Sequence, residues 1–197
     1  MNGPDGKAFK TRSGETIKLE DIINLITSKA EEKLKANGIT GNKELALQIG
    51  VGAMKYGDLS NIASKDYVFD IDRFSSFEGK TGPYIQYTAA RINSLLEKAG
   101  TNGGEIVIDL PETRNIIINL IKLFDSYYSC YQENSLNGLC LAVYNLASSF
   151  SLFYNNIRVL SEQDETKKKS YLSLCALVKD AIVLALDTLG IETPKRM

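Results

Sequence analysis

From residue 109 to residue 190 the apolar side chains recur at steps of three and four, over three stretches far longer than a strand. Ile116, Leu120, Leu123, Tyr127 and Cys130 or Tyr131 keep the spacing in the first stretch. Leu139, Val143, Leu146, Phe150 and Phe153 keep it in the second, and Tyr171, Cys175, Val178, Ile182 and Leu189 in the third. A helix turns once in about 3.6 residues, so each set lines one face that must be buried against another helix. Pro111 falls in a first turn, with Asp109 as N-cap and Glu112 three residues on, a capping-box arrangement. Asn134-Ser135 breaks the first helix, Ser161 to Glu165 opens the third, and Gly190 ends it. Long helices joined by short loops pack antiparallel, so the chain is expected to be mainly α, with an antiparallel helical bundle. No βαβ alternation is present, which excludes a Rossmann-type nucleotide domain.

The first half is less regular. Residues 1–18 are polar and Gly-rich, and Lys7, Lys10, Arg12 and Lys18 outnumber Asp5 and Glu15, as in a flexible basic loop. Leu19, Ile22, Ile23, Ile26 and Ala30 then predict a helix that Gly38 ends. Asn42 is the N-cap expected for a second helix, which carries Leu45, Ile49, Ala53 and Tyr56. Tyr67-Val68-Phe69 reads as an extended connector or small strand. Pro83 opens a further helix with Tyr84, Tyr87, Arg91, Leu95 and Lys98 on adjoining positions, and Gly100 closes it. Residues 101–104, TNGG, form a turn. The helices at 19–58 carry apolar faces, among them Ile22, Ile26 and Ile49, that offer a surface for self-association or for packing on the bundle.

Composition narrows the chemistry. The chain has 197 residues and no histidine, so Ser-His-Asp and Cys-His catalysis, histidine metal sites and histidine proton shuttles are all excluded. Cys130, Cys140 and Cys175 are far apart and set among apolar residues, which reads as buried thiols rather than a metal or redox motif. A net charge of -1 leaves any polyanion site to a local patch. No apolar run approaches the roughly 18 residues of a membrane span, and the polar N-terminus has no secretory h-region.

Three motifs invite a functional reading. Glu78-Gly79-Lys80-Thr81-Gly82 contains the tail of a P-loop, but the position five before Gly79 is Phe74, so the phosphate cradle is incomplete. Gly50-Val51-Gly52 is a weak partial match to a dinucleotide fingerprint, but inside a helical pattern it reads as close helix packing. Tyr84, Gln86, Tyr87 and Arg91 combine rings that stack on unpaired bases, an amide for base edges and a cation for phosphate. The same tyrosines also suit a core, with Arg91 a solvated cap. The basic loop Lys7 to Gly14 has the cations and hydroxyls to close over phosphates.

The order of these segments resembles the class I arginyl-tRNA synthetases. GKAFKTRSGETIKLEDII resembles their KMSKS-like loop, with Ala8 at the leading Lys position and Lys7 one residue before it. IGVGAMKYGDLSN and DYVFDIDRFSSFEGKTGPYIQYTAARI resemble the family's stem-contact helices and the start of its DALR-type anticodon-binding domain. LGIETPKRM resembles the family's C-terminus. The resemblance implies a division at 1–72, loop and stem-contact helices, and 73–197, the α-helical anticodon-binding domain.

It also implies roles. Lys7, Lys10, Thr11 and Arg12 would belong to the loop that steadies ATP phosphates. Tyr84, Gln86, Tyr87 and Arg91 match a PYxQYxxxR helix that faces tRNA, with Ala89 where the family often has His, and Arg196 and Met197 match the anticodon-side end. The parent reaction would be ATP- and Mg2+-dependent attachment of arginine to tRNA(Arg), in the cytoplasm. The ATP- and arginine-binding fold with its HIGH-type motif lies upstream of such a loop, so the chain lacks this N-terminal catalytic domain. Alone it is expected to bind tRNA without catalysis, cofactor, metal or membrane. The competing expectation is a stand-alone helical protein-interaction module, favoured if Tyr84, Tyr87 and Arg91 are buried with no basic groove beside them.

Overall fold

A computed structural model describes residues 18–36, 38–40, 42–100 and 103–197. Among them are seven α-helices: α1 (Leu19–Ala36), α2 (Lys43–Leu59), α3 (Ile71–Phe74), α4 (Gly82–Ala99), α5 (Pro111–Glu133), α6 (Asn137–Asn156) and α7 (Glu165–Thr188). A short 3-10 turn at Val159–Ser161 links α6 to α7. The all-helical architecture is the one the periodicity predicts.

Helices α4 to α7 enclose the main core. Leu139, Val143, Leu146, Phe150 and Phe153 of α6 are all fully buried, so α6 is the central helix. Tyr171, Cys175, Val178, Ile182 and Leu189 meet it from the last helix and the residue that caps it, and Ile85, Ile92 and Leu95 from α4. On α5 the buried stripe is Ile116, Leu120 and Leu123. Farther along, Tyr127 and Cys130 are half-buried and Tyr131 is exposed, so the inward face stops a turn or two short of the expected length. Asn134 turns the chain into α6 with φ 49, a left-handed conformation that Asn tolerates better than most side chains.

The start of α5 departs from expectation by one residue. Leu110, not Asp109, is the N-cap, and its backbone N–H donates to Thr113 Oγ1 at 3.1 Å. Asp109 is instead drawn across to α7, where it accepts from Tyr171 Oη at 2.9 Å and pairs with Lys167 at 3.8 Å. A charged acceptor gains more from a partly buried phenol and a cation than from a helix end already served by threonine.

Helices α1 and α2 form a hairpin on the bundle. The α1 helix ends in a 6→1 and 5→2 pair of backbone bonds, Ile39 N to Leu34 O and Gly38 N to Lys35 O, with Gly38 at φ 83. Asn42 caps α2 through Leu45 N. Ile22 and Ile26 pack on Ala53, Phe69 and Phe74, while Ala30 and Leu34 pack on Leu45, Ala46 and Ile49. Ile22, Ile26 and Ile49 are therefore not left facing outward; the apolar side chains these helices expose are Leu19, Leu25 and Leu47. Residues 67–69 are extended, with an isolated bridge at Val68.

Helix α2 crosses α4 at its small residues. A Cβ on Gly82 would lie 2.4 Å from the Gly52 carbonyl oxygen, and one on Gly52 would lie 2.7 Å from the Gln86 amide. This is the close packing read from Gly50-Val51-Gly52; there is no dinucleotide turn here. The hydroxyl of Tyr56 extends the contact, donating to the Cys140 carbonyl at 2.8 Å inside the core.

Candidate nucleic-acid interface

The segment before α4 is built to start that helix at a fixed angle. Thr81 caps it by accepting from Tyr84 N at 3.3 Å, and the same hydroxyl donates to Ser76 O at 2.6 Å. The GKT motif is thus helix-capping chemistry, consistent with the incomplete P-loop. Pro83 follows in the first turn, where its missing N–H costs no hydrogen bond.

From this start, Tyr84, Tyr87 and Arg91 point to one flank of α4, half-buried beside an open groove of about 520 Å³. The groove is lined also by Leu34 and Ile39 from the α1 end, Phe77, Ser151 of α6, and Met197. An adjoining hollow of about 330 Å³ shares Tyr87, Arg91 and Met197 and adds Lys98, Tyr154 and Leu160. Arg91 sits between two rings, its guanidinium 4.8 Å from the Tyr87 centroid and 5.0 Å from that of Tyr154. It also donates to Tyr87 Oη at 3.2 Å. Phe77 meets Tyr87 edge-on at 6.4 Å. Tyr87 is therefore oriented on two sides, and Arg91 is held without a carboxylate partner among the described residues, leaving its charge for an outside anion.

Tyr84 is more committed to the protein. Its hydroxyl donates to Ser151 Oγ at 2.9 Å, and its ring packs 5.8 Å from that of Tyr144, over which Lys80 lies at 5.6 Å. Lys80, Arg91 and Lys98 give this flank three cations, with Glu78 the acidic residue on its rim.

Gln86 points the other way. It is fully buried, and its amide donates to Gln48 O at 3.2 Å and Glu192 O at 2.7 Å. The expectation that Gln86 faces RNA is corrected on this geometry: in a helix, residue 86 is turned about 100° from residue 87, the side chain is fully buried, and its amide nitrogen is spent on α2 and the tail. That bond has a consequence for the site. The tail runs back along α4, held by Gln86 at Glu192, by Asn93 Nδ2 at Lys195 O and by Glu97, which pairs with Arg196 at 2.8 Å. This course delivers Met197 to the groove. Arg196 itself is exposed, and its guanidinium holds the Glu97 carboxyl below the usual carboxylate range.

The periodicity did not identify Phe77, Tyr144, Ser151, Tyr154 or Lys80 as part of this surface. Tyr144, Ser151 and Tyr154 stand at seven- and three-residue steps, a stripe beside the core stripe of α6, and that spacing was the available signal. Lys7, Lys10, Thr11 and Arg12 lie outside the described residues, as do Thr101 and Asn102 of the expected turn. Among the described residues no cluster of acidic residues and cysteines could hold a metal, and no helix is long and apolar enough to cross a membrane.

Residues 85–197 match the family model for the DALR anticodon binding domain, and residues 1–71 match that for the tRNA synthetases class I (R), catalytic domain. The chain is 41% identical, over its whole length, to an arginine–tRNA ligase of Agathobacter rectalis, covering 36% of that protein. It is 40% identical to one of Alkaliphilus oremlandii, covering 35% of it. It thus spans about a third of the curated relatives it matches. Among solved structures, the arginyl-tRNA synthetase of Thermus thermophilus superposes with a TM-score of 0.89 at 25% identity, over 100% of this chain and 34% of that one. That of Plasmodium falciparum superposes with a TM-score of 0.82 at 26% identity, over 92% and 34%.

Proposed function

Because the chain belongs to the DALR anticodon-binding domain family and corresponds to the C-terminal portion of arginyl-tRNA synthetase, with the tail of the catalytic domain ahead of it, we propose that it binds tRNA(Arg) through the α4 flank. The observation that carries this reading is the convergence of Tyr87, Arg91 and Met197 on one open groove. A stacked ring, a cation with no carboxylate partner among the described residues and a polarizable thioether suit an unpaired base and the phosphate next to it. Tyr84 serves as a wall of the site and Arg196 as a rim cation. Residues 1–72 are the tail of the catalytic region, and 73–197 the anticodon-binding unit.

In the parent enzyme, tRNA bound here would be aligned for ATP- and Mg2+-dependent arginylation by the N-terminal catalytic domain, in the cytoplasm. Lys7, Lys10, Thr11 and Arg12 would join that domain's ATP site. The 197-residue chain by itself is expected to be inactive in arginylation. Product formation by the purified chain would refute that half of the reading.

Binding is tested by titrating arginine tRNA against the chain in a fluorescence anisotropy assay at fixed salt. Stacking of one base on an aromatic ring is worth about 1–3 kcal/mol, so Tyr87→Ala should weaken binding by roughly 5- to 150-fold. Arg91→Ala should weaken it and lower the slope of log K against log salt by about one contact. An affinity unchanged in both variants would remove this groove from the interface.

A further inference from the structure

Residues 191–197 are docked along their length. Ile191 and Pro194 are buried and Met197 is half-buried, so every third side chain of the tail turns inward. Met197 packs on the Ala30, Leu34, Leu45, Ala46 and Ile49 cluster, so the tail leaves the bundle and ends on the α1–α2 hairpin.

Past Glu192, two side chains of α4 hold this course. Asn93 Nδ2 donates to Lys195 O at 3.3 Å and to Glu97 Oε1 at 2.9 Å. The other oxygen of Glu97, Oε2, accepts from Arg196 at 2.8 Å. Both carboxylate oxygens are therefore committed, one to orienting the asparagine and one to the arginine. Asn93, Glu97, Arg196 and the Lys195 carbonyl close a ring between helix and tail, and such a ring acts as a unit. Asn93 and Glu97 stand one helical turn apart on the same face of α4. Neither lines the groove or the hollow beside it.

Charge and geometry make opposite demands on Glu97. Its neighbour Lys98 lines the hollow, so an exposed carboxylate stands close to a surface that takes a polyanion. On charge alone, removing it should strengthen tRNA binding: one repulsion is lost, and Arg196 is released to a phosphate. On geometry, removing it frees the end of the tail and with it Met197.

We infer, resting on the reading that the α4 flank binds tRNA, that Asn93 and Glu97 are positioning residues for that binding. They act through the tail, holding Lys195 and Arg196 so that Met197 stays in the groove. The test is the affinity of the 197-residue chain for arginine tRNA, with carbon-13 methyl-methionine NMR of the same variants. The sequence has three methionines, and the signal lost on deleting Met197 identifies its methyl group. Glu97→Ala should weaken binding by roughly two- to fivefold, the contribution of an exposed ion pair. It should also move the Met197 signal toward that of methionine in a flexible peptide. Asn93→Ala should shift both in the same direction. Exchanging the charges, Glu97→Arg with Arg196→Glu, keeps the net charge and should restore both. Circular dichroism and Tm should be unchanged in Glu97→Ala and in the exchange, because Glu97 and Arg196 are exposed. In a chain lacking Met197, Glu97→Ala should no longer weaken binding.

Unchanged or tighter binding by Glu97→Ala overturns the inference, since charge alone then governs this residue. An unmoved Met197 signal, a charge exchange that restores nothing, or a loss that persists without Met197 also overturns it. If Tyr87→Ala and deletion of Met197 weaken binding while Glu97→Ala does not, the groove reading stands and only the positioning role falls. If Tyr87→Ala and the deletion both leave affinity unchanged, the groove reading fails and the positioning role falls with it.

Discussion

Gly82→Ala puts the α2–α4 crossing to a direct test. The added methyl would meet the Gly52 carbonyl oxygen at 2.4 Å, its carbon at 2.8 Å and Tyr56 Cβ at 3.1 Å. Two of these are backbone atoms of a packed helix, so no rotamer change relieves them. Reaching the 3.4 Å of ordinary contact needs α4 to retreat from α2 by about 1 Å. That movement stretches the 3.2 Å bond from Gln86 to Gln48 and loosens the seating of Tyr56. Overpacking of this kind costs about 1–3 kcal/mol. Gly82 is the first residue of α4, where alanine recovers little helix propensity, so the net loss should be about 2 kcal/mol. For a chain this size that lowers Tm by roughly 4–8 °C. Gly138→Ala is the matched control. Gly138 lies in the first turn of α6 with nothing within 4 Å of its would-be Cβ, so alanine there should stabilise by about 0.4–1 kcal/mol. Urea unfolding followed by circular dichroism reads both. A Gly82→Ala variant within about 0.5 kcal/mol of the parent would refute the close approach, given the usual spread for neutral substitutions.

Three more outcomes follow from the buried polar groups. Tyr171 is pushed up to about 12 from an ordinary 10.0 by burial and then by Asp109, and burial raises Tyr56 further still. Raised phenols contribute their full stability below the ordinary value and lose it as pH rises through the folded one. The urea midpoint should therefore fall between pH 10 and about 12, and less steeply in Tyr171→Phe. Burial also pushes the Cys140 and Cys175 thiols up to about 12, so one thiol, half-buried Cys130, should react with Ellman's reagent in the native chain at mildly alkaline pH, and all three in denaturant. Gln86→Ala should cost about 2 kcal/mol, because a fully buried side chain is truncated and the Gln48 and Glu192 carbonyls lose a donor, and should weaken tRNA binding by freeing the tail that carries Met197; unchanged binding would show that Met197 is dispensable.

The long helices α5 and α6 were legible in the sequence because each has one deeply buried stripe. Ile116, Leu120 and Leu123, or Leu139 through Phe153, are spaced as the backbone repeats, and burial of such a stripe does not depend on which neighbour covers it. Caps were legible where the side chain had no competing partner, as at Asn42. They were misread at Asp109, where a partner 62 residues away, Tyr171, outbid the local helix end. Sequence spacing cannot register such a partner.

The candidate site was half legible for a related reason. Tyr84, Tyr87 and Arg91 share one helix, so helical geometry alone brings them together. Gln86 lies between them in sequence yet faces α2 and the tail, and a one-residue step of about 100° is enough to separate the two environments. The rest of the groove comes from α1, the turn before α4, α6 and the tail, and their meeting depends on how helices are rotated against one another. Periodicity fixes which side of a helix is inward but not which flank lies beside a neighbour. For this fold that rotation is set by contacts with no chemical signature of their own: two glycines in van der Waals contact, one buried amide and one buried phenol. The residues that shape the groove and those that line it are therefore largely different. Substitutions at Gly52, Gly82 and Gln86 should alter binding without touching RNA, and they should do so only in step with their effect on stability.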